Sequence, residues 1–331
     1  MNIEQNAPPS IAQRLATIED RIERLAAIED RIERLAAIED RIERLAHRLE
    51  EAIGYFAVRS NLVADSQSVY LGDNTAVTFL QDGTRILVDT KSLDIGVHLL
   101  TLGRWEPPYT ALFARLVRPG ETVFDLGANH GVYALMAARL VGPTGRVHAF
   151  EPNPRLAQLV DLSLRINGFG GWGQVHRVAA SDRSGVARLF FTDSYSGGGS
   201  LSGTAEQSDA TGTSKHVVDC RLVPLDTMFP DPAMRLDVVK MDVEGHEGPA
   251  LRGMRQLLAR SPDVRIMMEF GPQMMQGSGV AAPEVVALLE GLGLSAWTID
   301  NEGGIAPVAW AELAAQTAGL QNILAARHAP F

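Results

Sequence analysis

Short apolar runs alternate with helical stretches over residues 122–326, and this alternation constrains the fold more than any other feature of the sequence. The runs have the length of buried strands, whereas the stretches between them repeat apolar residues every three or four positions, as helices do. The runs are TVFDLG, RVHAFEP, VHRVAASD, LDVVKMDVE, VRIMMEF, SAWTID and NILAAR. Strands that alternate with helices predict an α/β fold with a parallel sheet covered by helices on both faces. Ligands of such sheets bind beyond the carboxyl ends of the strands.

One pair of apolar runs interrupts the alternation. GVARLFF (185–191) and HVVDCRLVPL (216–225) are typical of two strands of a hairpin, and the segment between them, 192–215, is rich in Gly, Ser and Thr. Long loops in compact domains often have a function, so this segment is interpreted either as a mobile surface loop or as a lid over a substrate. Three strand-like runs occur within residues 54–110, which we interpret as a lead-in to a main domain at 111–331.

The N-terminal part of the chain contains one decapeptide three times. IEDRIERLAA begins at residues 18 and 28, and IEDRIERLAH begins at residue 38. Apolar residues follow one another at spacings of 4, 3 and 3, which predicts a single long helix with a narrow apolar seam over residues 13–53. One helix cannot bury that seam alone, so we expect a coiled coil about 60 Å long at 1.5 Å per residue. Each decad is a heptad plus three residues, which predicts a left-handed, overwound supercoil.

The isoleucine-rich seam favours a coiled coil of three helices over one of two helices, so a homotrimer is expected ahead of a homodimer. The coiled coil is interpreted either as an oligomerisation stalk or as a spacer whose length matters, because nearly identical units can be added or removed whole. Residues 1–12, which precede it, are expected to be a disordered tail.

The composition excludes several classes of protein. The net charge of the 331 residues is −10, which argues against broad nucleic-acid binding because that requires clustered Lys and Arg. The single cysteine, Cys220, cannot form an intramolecular disulfide, which indicates a reducing compartment. No apolar run approaches the length of a membrane span, about 18 residues, and the N-terminus lacks the layout of a secretory signal. We therefore expect a cytoplasmic protein, held at the inner face of the membrane only if a partner holds it there.

A turn after the first strand of the main domain has the composition of a ligand-binding turn. It reads Asp125-Leu-Gly127-Ala-Asn129-His-Gly131, and the following helix presents its positive N-terminus to a ligand. Asp125 is placed to receive an ammonium group, and Glu151, at the end of the next strand, to accept hydrogen bonds from a ribose diol. The G-x-G-x-x-G spacing of dinucleotide-binding folds is absent. The pattern therefore favours an amino-acid-bearing nucleoside, S-adenosylmethionine.

Five motifs in order resemble those of FkbM-type methyltransferases: VFDLGANHGVYAL, HAFEPNP, VAASD, VKMDVEGHEGPALRG and MMEF. The resemblance covers roughly residues 85–326, includes Trp105-Glu106 in the lead-in, and leaves residues 13–53 outside. It implies a Rossmann-like class I methyltransferase sheet with helices on both faces, here preceded by the long coiled-coil helix. The implied activity is methyl transfer from S-adenosylmethionine, usually to an oxygen of a sugar or natural product.

The resemblance also assigns cofactor-binding residues. It implies that the methionine part is held by four residues of the first turn, Asp125, Gly127, Asn129 and Gly131. It places Glu151 at the ribose, and Ser181 with Asp182 near the adenine. An aspartate that opens a turn needs no ligand, so Asp182 is interpreted either as a cofactor residue or as part of a turn.

The motif Asp242-Val-Glu244-Gly-His246-Glu247 follows an apolar strand, so its polar groups emerge at the carboxyl end of that strand. Methyl transfer to an oxygen requires alignment of the reactants and removal of the acceptor proton. We predict that His246 is the general base, because a helix N-terminus favours the neutral imidazole, and that Asp242 and Glu244 orient cofactor or acceptor hydroxyls. Two alternatives stay open. Either His246 and Glu247 only cap a helix, or Asp242, Glu244 and His246 bind a divalent metal. No metal site is predicted.

Together these observations predict an S-adenosylmethionine-dependent O-methyltransferase that acts on a sugar hydroxyl, such as one on a bacterial polysaccharide or another glycan. The alternatives are methylation of a small natural product, methyl transfer to nitrogen, and an inactive scaffold that keeps the fold. The presence of Asp125, Glu151 and Asp242 together argues against a scaffold.

Overall fold

The computed structural model describes residues 68–201 and 215–331, and four single N-terminal positions, Ile11, Leu25, Leu35 and Ile38. These four residues are helical and exposed. The chain divides into two compact units, Met1–Leu62 and Val63–Phe331. Apart from the four single positions, the predicted tail and coiled coil lie outside the described residues.

A small antiparallel sheet and two helices form the described part of the lead-in. They are β1 (Val69–Gly72), β2 (Thr75–Phe79), β3 (Arg85–Asp89), α1 (Ile95–Leu102) and α2 (Pro107–Leu116). The strands lie in the order β1-β2-β3 and correspond to the three predicted runs. The apolar spacing of residues 108–117 predicts α2, but α1 is not predicted, because its eight residues, IGVHLLTL, include a glycine and carry apolar residues on the exposed as well as the buried side. Ile86 and Val88 of β3 are fully buried in the core below α1 and α2.

The strands and helices of the main domain follow in alternation. The strands are β4 (Thr122–Leu126), β5 (Arg146–Phe150), β6 (Gly173–His176), β7 (Ala179–Ala180), β8 (Gly185–Thr192), β9 (Lys215–Val223), β10 (Val238–Met241), β11 (Arg265–Phe270), β12 (Ser295–Ile299), β13 (Ile305–Val308) and β14 (Gln321–Ala326). The helices are α3 (Val132–Val141), α4 (Pro154–Ile166), α5 (Leu225–Met228), α6 (Glu247–Gly253), α7 (Arg255–Ala259), α8 (Pro272–Gln276), α9 (Ala282–Gly291) and α10 (Trp310–Ala314). The apolar spacing of residues 248–260 predicts one helix, but this stretch forms two, which meet at Met254.

Eight strands form one sheet in the order β13-β12-β14-β11-β10-β4-β5-β6. The pairs β11-β10, β10-β4, β4-β5 and β5-β6 are parallel, as predicted. The sheet is not parallel throughout, because β14 is antiparallel to both β11 and β12. The reason is the connection: β13 pairs back on β12 as a hairpin, and only the short helix α10 separates it from β14. Because β13 and β14 are both antiparallel to β12, they run in the same direction, so the chain reverses at the hairpin and keeps the reversed direction through α10.

Apolar cores cover both faces of the sheet, because successive strand residues point to opposite sides. Val123 of β4 packs in the core under α2, α3 and α4, whereas its neighbour Phe124 packs in the core under α6, α7 and α9. A second small sheet, β7-β9-β8, contains the predicted hairpin, since β8 and β9 are antiparallel. Within the described ranges, no helix is long and apolar enough to cross a membrane.

Candidate functional site

A cavity opens where β4, β5 and β10 end, at the edge of the sheet that the strand pattern indicated. The loops after these strands form its floor, and the lead-in and the segment after β8 contribute walls. Six of the ten predicted site residues line it: Gly127, Asn129, Glu151, Asp242, Glu244 and His246. The other four, Asp125, Gly131, Ser181 and Asp182, are not lining residues.

The turn after β4 lies against the backbone of both neighbouring strand ends. Gly127 has a φ of +80°, and a Cβ there would stand 1.8 Å from the carbonyl oxygen of Asp242. Its N–H and that of Ala128 donate to the carbonyl of Phe150, at 3.0 and 3.1 Å. Only glycine fits this position, because any side chain would force the β4 and β10 loops apart.

Glu151 is held by two backbone donors. It is 6% exposed, its Oε2 accepts from the N–H of Asn129 at 2.8 Å, and its Oε1 accepts from the N–H of Asn153 at 2.8 Å. Burial raises the pKa of the Glu151 carboxyl to about 7, although these two hydrogen bonds by themselves lower it. Each carboxylate oxygen accepts more than one hydrogen bond, so Glu151 keeps acceptor capacity for two ligand hydroxyls in a fixed orientation.

Asp125 lies at the end of β4 and is 1% exposed. It pairs in register with Lys240 of β10, and burial raises the pKa of its carboxyl to about 7. Within residues 68–201 and 215–331, its Oδ2 has no hydrogen-bond partner. A buried acceptor without a partner is costly, so this oxygen fits a role in holding a polar or charged group.

The remaining three predicted cofactor residues have other surroundings. Gly131 precedes α3 with a φ of +89°, and a Cβ there would meet Val160 at 2.9 Å, so it permits close packing of α3 on α4. Ser181 is fully buried and contacts His246. Asp182 is exposed and faces Arg183 and Arg252, at 3.6 and 3.8 Å.

His246 is 7% exposed and immediately precedes α6. Its Nε2 lies 3.1 Å from the Ser181 hydroxyl, and its Nδ1, within the described part of the chain, is buried without a partner. Burial lowers the pKa of His246 to about 4, so the ring is neutral at pH 7. The residue predicted to be catalytic thus contacts one predicted to lie near adenine. Its side chain does not cap the helix; Glu247 does hold this turn, accepting from the N–H groups of Val243 and Gly245 at 3.2 and 3.3 Å.

A buried lysine lies among the carboxylates of the cavity. Lys240 is 2% exposed, and its Nζ lies 3.2 Å from Asp242 Oδ2 and 4.8 Å above the ring centre of Tyr133. The Tyr133 hydroxyl in turn donates to Glu106 at 2.9 Å. Burial alone would lower the pKa of Lys240, but the carboxylates of Asp242, Glu106 and Asp125 raise it above its ordinary value. The lysine is therefore charged and compensates part of the negative charge.

The sequence analysis assigned no role to Glu106, Tyr133 or Glu269, which also line the cavity. Burial, followed by repulsion from Asp242, raises the pKa of both Glu244 and Glu269 to about 8. Glu106 belongs to the Trp105-Glu106 motif, and Glu269 is the third residue of the MMEF motif, so position in a motif is the signal that could have found them.

Backbone strain is concentrated at the same cavity. Of the five non-glycine residues with positive φ in the described ranges, three line it: Glu106, Asn129 and Glu244, at +42°, +50° and +52°. Such conformations cost free energy and cluster at functional sites. No set of three His, Cys, Asp or Glu side chains in residues 68–201 and 215–331 is arranged to hold a metal ion.

A doubly wound sheet, a glycine turn after one central strand and an acid after the next define a Rossmann-like fold of the class I methyltransferase type. The family model described as the Methyltransferase FkbM domain matches residues 125–295, and the chain belongs to this family. The family is one of S-adenosylmethionine-dependent methyltransferases, as the sequence motifs implied.

Two curated relatives share shorter stretches with the chain. The 31-O-demethyl-FK506 methyltransferase FkbM of Streptomyces tacrolimicus is 43% identical over 77 residues, which are 23% of this chain and 28% of the relative. A protein-L-isoaspartate O-methyltransferase of Methanopyrus kandleri is 32% identical over 125 residues, 36% of this chain and 50% of the relative. The chain thus spans half or less of the length of these relatives.

Among solved structures, the chain is similar to Aeropyrum pernix fibrillarin in complex with S-adenosyl-L-methionine. The identity is 15% and the TM-score 0.37, over 78% of this chain and 99% of fibrillarin. An S-adenosylmethionine-dependent O-methyltransferase of Thermotoga maritima gives 13% identity and a TM-score of 0.35, over 80% of this chain and 86% of that enzyme. Values this low carry no argument about function.

Proposed function

We propose that this protein transfers a methyl group from S-adenosylmethionine to a hydroxyl group of a sugar. The observation that carries the proposal is the position of Glu151, a buried carboxylate fixed by two backbone donors beside the Gly127 turn. Asp242, Glu244 and Glu269 line the same cavity. A ribose-binding acid and an acceptor site in one cavity are what a methyltransferase requires.

The residues present fit the cofactor. Gly127 leaves room for close approach to the backbone, and Glu151 offers acceptors to a diol. Bound S-adenosylmethionine supplies an electrophilic methyl group. The chain must supply alignment of the acceptor oxygen and a base for its proton.

The proposed proton acceptor is Nδ1 of His246. If the Nε2–H donates to Ser181, the Nδ1 lone pair is available to accept a proton. Ser181 then orients the imidazole ring, which is the role of the third residue in a catalytic triad. Bound S-adenosylmethionine would supply the methyl group for the acceptor oxygen and leave as S-adenosylhomocysteine, and His246 would take the proton of the acceptor hydroxyl. Asp242 and Glu244 hold other hydroxyls of the acceptor, which carboxylates accept well.

Glu244 and Glu269 are the rival bases, and pH dependence separates them from His246. A base with a pKa near 4 gives a kcat/KM that is independent of pH between 6 and 9, whereas a base with a pKa near 8 gives a rise through that range. We expect the flat profile, and a loss of about 10² to 10⁴-fold in kcat for His246→Ala. A rise centred near pH 8 that disappears in Glu269→Gln or Glu244→Gln would reassign the base.

The proposed function is tested first by binding and then by turnover. Titration calorimetry should show that the full chain binds S-adenosylmethionine and S-adenosylhomocysteine; no binding by the wild type would leave the inactive-scaffold alternative. Transfer of labelled methyl from S-adenosylmethionine to a panel of hexose and deoxyhexose glycosides, followed by linkage analysis of the product, then tests the acceptor. Labelling of a hydroxylated natural product or an amine instead would overturn the sugar assignment.

We also propose that the decapeptide repeats hold the protein as a homo-oligomer, a trimer ahead of a dimer, in the cytoplasm. Three identical seam patterns support this, since each helix must bury its Ile and Leu against a copy. A chain without residues 1–53 should sediment as a monomer, whereas the full chain sediments as a trimer. A full chain that sediments as a monomer at micromolar concentration contradicts the proposal.

The spacer hypothesis has a separate test. If the coiled coil sets a distance during synthesis of a polysaccharide, removal of one decad, residues 28–37, changes the length of the polysaccharide that the cell makes. An unchanged length distribution would leave the coiled coil as an oligomerisation stalk.

A further inference from the structure

The segment after β8 forms a wall of the cavity. We call residues 194–199 the strap; its residues Ser196, Gly197 and Gly199 line the cavity. Two backbone hydrogen bonds of 3.0 Å join Phe190, which precedes the strap, to Ser200, which follows it. The strap is thus the tip of a loop that is closed at its base. Its contribution to the wall therefore depends on what holds its outer part in place.

Asp94, in the lead-in just before α1, holds the outer part of the strap. Its Oδ2 accepts from the N–H of Gly197 at 2.8 Å, and its Oδ1 accepts from the hydroxyl of Ser196 at 3.1 Å and of Ser92 at 2.6 Å. The N–H of Leu93 also donates to the carbonyl of Ser194 at 2.8 Å. Burial favours a higher pKa for Asp94, but these donors lower it below the ordinary value. Asp94 is thus ionised, and bonds to an ionised acceptor are the stronger kind.

Asn129 holds the same strap residue from the cofactor side. Its Nδ2 donates to the carbonyl of Ser196 at 2.8 Å, and its backbone N–H donates to Glu151. Ser196 therefore lies between Asp94 and the turn that orients Glu151. A shift of the strap would remove a partner of Asn129, and with it one restraint on the turn.

His130 fixes the side chain of Asn129. It is 1% exposed, and its Nε2 must accept from the N–H of Asp89, at 3.3 Å. The proton of the neutral ring is therefore on Nδ1, which donates to Asn129 Oδ1 at 2.7 Å. This leaves only the Nδ2 of Asn129 as a donor toward Ser196. Two residues of the lead-in, Asp89 and Asp94, thus act on one turn of the cofactor end.

We propose that Asp94 is a positioning residue for cofactor binding, which fixes the strap as a wall of the cavity and slows the release of the bound nucleoside. This inference rests on the proposed function, because it assigns the cavity to S-adenosylmethionine and its product. Under this proposal the lead-in, which precedes the family domain at 125–295, contributes to the cofactor site. Asp94 does not line the cavity and acts through Ser196 and Gly197.

The test measures the dissociation of S-adenosylhomocysteine from the full chain by stopped-flow fluorescence, for which Trp105 in the cavity wall is the reporter. Asp94→Ala removes the acceptor for both strap donors, so we expect dissociation about tenfold faster. Asp94→Asn keeps one good acceptor oxygen and should give an intermediate rate. Ser196→Ala removes only the hydroxyl and should give a rise of about threefold.

The matched control is Asp193→Ala, next to the strap. Asp193 pairs with Lys91 at 3.1 Å at the surface, so its loss should leave the dissociation rate unchanged. Proteolysis gives a second readout: cleavage within the strap should quicken in Asp94→Ala and not in Asp193→Ala.

The outcomes are separable. A wild-type dissociation rate in Asp94→Ala, or an equal rise in Asp193→Ala, would overturn the role of Asp94 while the proposed function stands. A wild type that does not bind S-adenosylhomocysteine would overturn both. If Asp94→Ala does not fold, as judged by its thermal unfolding, Ser196→Ala decides alone, because it leaves the lead-in unaltered.

Discussion

Glu151→Ala is expected to weaken the binding of S-adenosylmethionine by at least about a hundredfold. The buried carboxylate would accept hydrogen bonds from both ribose hydroxyls, and bonds to a charged group contribute about 1.5 to 3 kcal/mol each. Two such bonds correspond to about 3 kcal/mol at the lower bound, which is a factor of about a hundred. Titration calorimetry of the wild type and the variant measures the effect directly.

Two further variants separate this role from a structural one. Glu151 also accepts from the N–H groups of Asn129 and Asn153, so its loss leaves two backbone donors without a partner. Glu151→Gln keeps an acceptor for one of them and should fold more stably than Glu151→Ala while still binding weakly. Glu290→Ala, an exposed change on α9, is the control and should bind as the wild type does. Binding by Glu151→Ala within threefold of the wild type contradicts the assignment.

The order of strands and helices could be predicted from the sequence because each element carries its own apolar period. The direction of β14 could not, because it depends on the hairpin β12-β13 and the short helix α10 rather than on any pattern within β14. The helix α1 was missed for a related reason: both of its faces are apolar, so it shows no helical period.

The sequence predicted those cavity residues that directly follow a strand of the sheet, such as Gly127, Glu151 and Asp242. Contacts between side chains from distant elements were not. Nothing local in the motif around His246 indicates that its ring lies against Ser181, and nothing in the lead-in indicates that Glu106 adopts a positive φ beside Tyr133. These features arise from packing of the lead-in and of α6 on the sheet, which a periodic pattern does not encode.

Lys240→Met is expected to destabilise the folded protein by about 3 to 5 kcal/mol at pH 8. Methionine replaces the length of the side chain but removes the cation that lies 3.2 Å from Asp242 and also interacts with Glu106 and Asp125. Without the cation, the buried carboxylate of Asp125 is left uncompensated, which is the costly case. Urea unfolding of the ligand-free protein, followed by circular dichroism, measures the difference.

The loss should shrink as the pH falls. The folded-state pKa values of Asp125, at about 7, and of Glu106 already lie above their unfolded values, and without the cation they rise further. A carboxyl with a raised pKa contributes stability that is complete below its unfolded pKa, near 4, and is lost as the pH rises through the folded pKa. At pH 5 the Asp125 carboxyl is largely protonated in the folded variant, so the deficit there should be below that at pH 8.

The control for this pH dependence is Lys91→Met, which removes a surface lysine paired with Asp193. Exposed pairs contribute little, so this variant should unfold as the wild type does at both pH values. A Lys240→Met variant with the wild-type unfolding midpoint at pH 8 would show that the carboxylates do not need the cation. A deficit equal at pH 5 and pH 8 would show that the loss does not depend on the ionisation of these carboxyls.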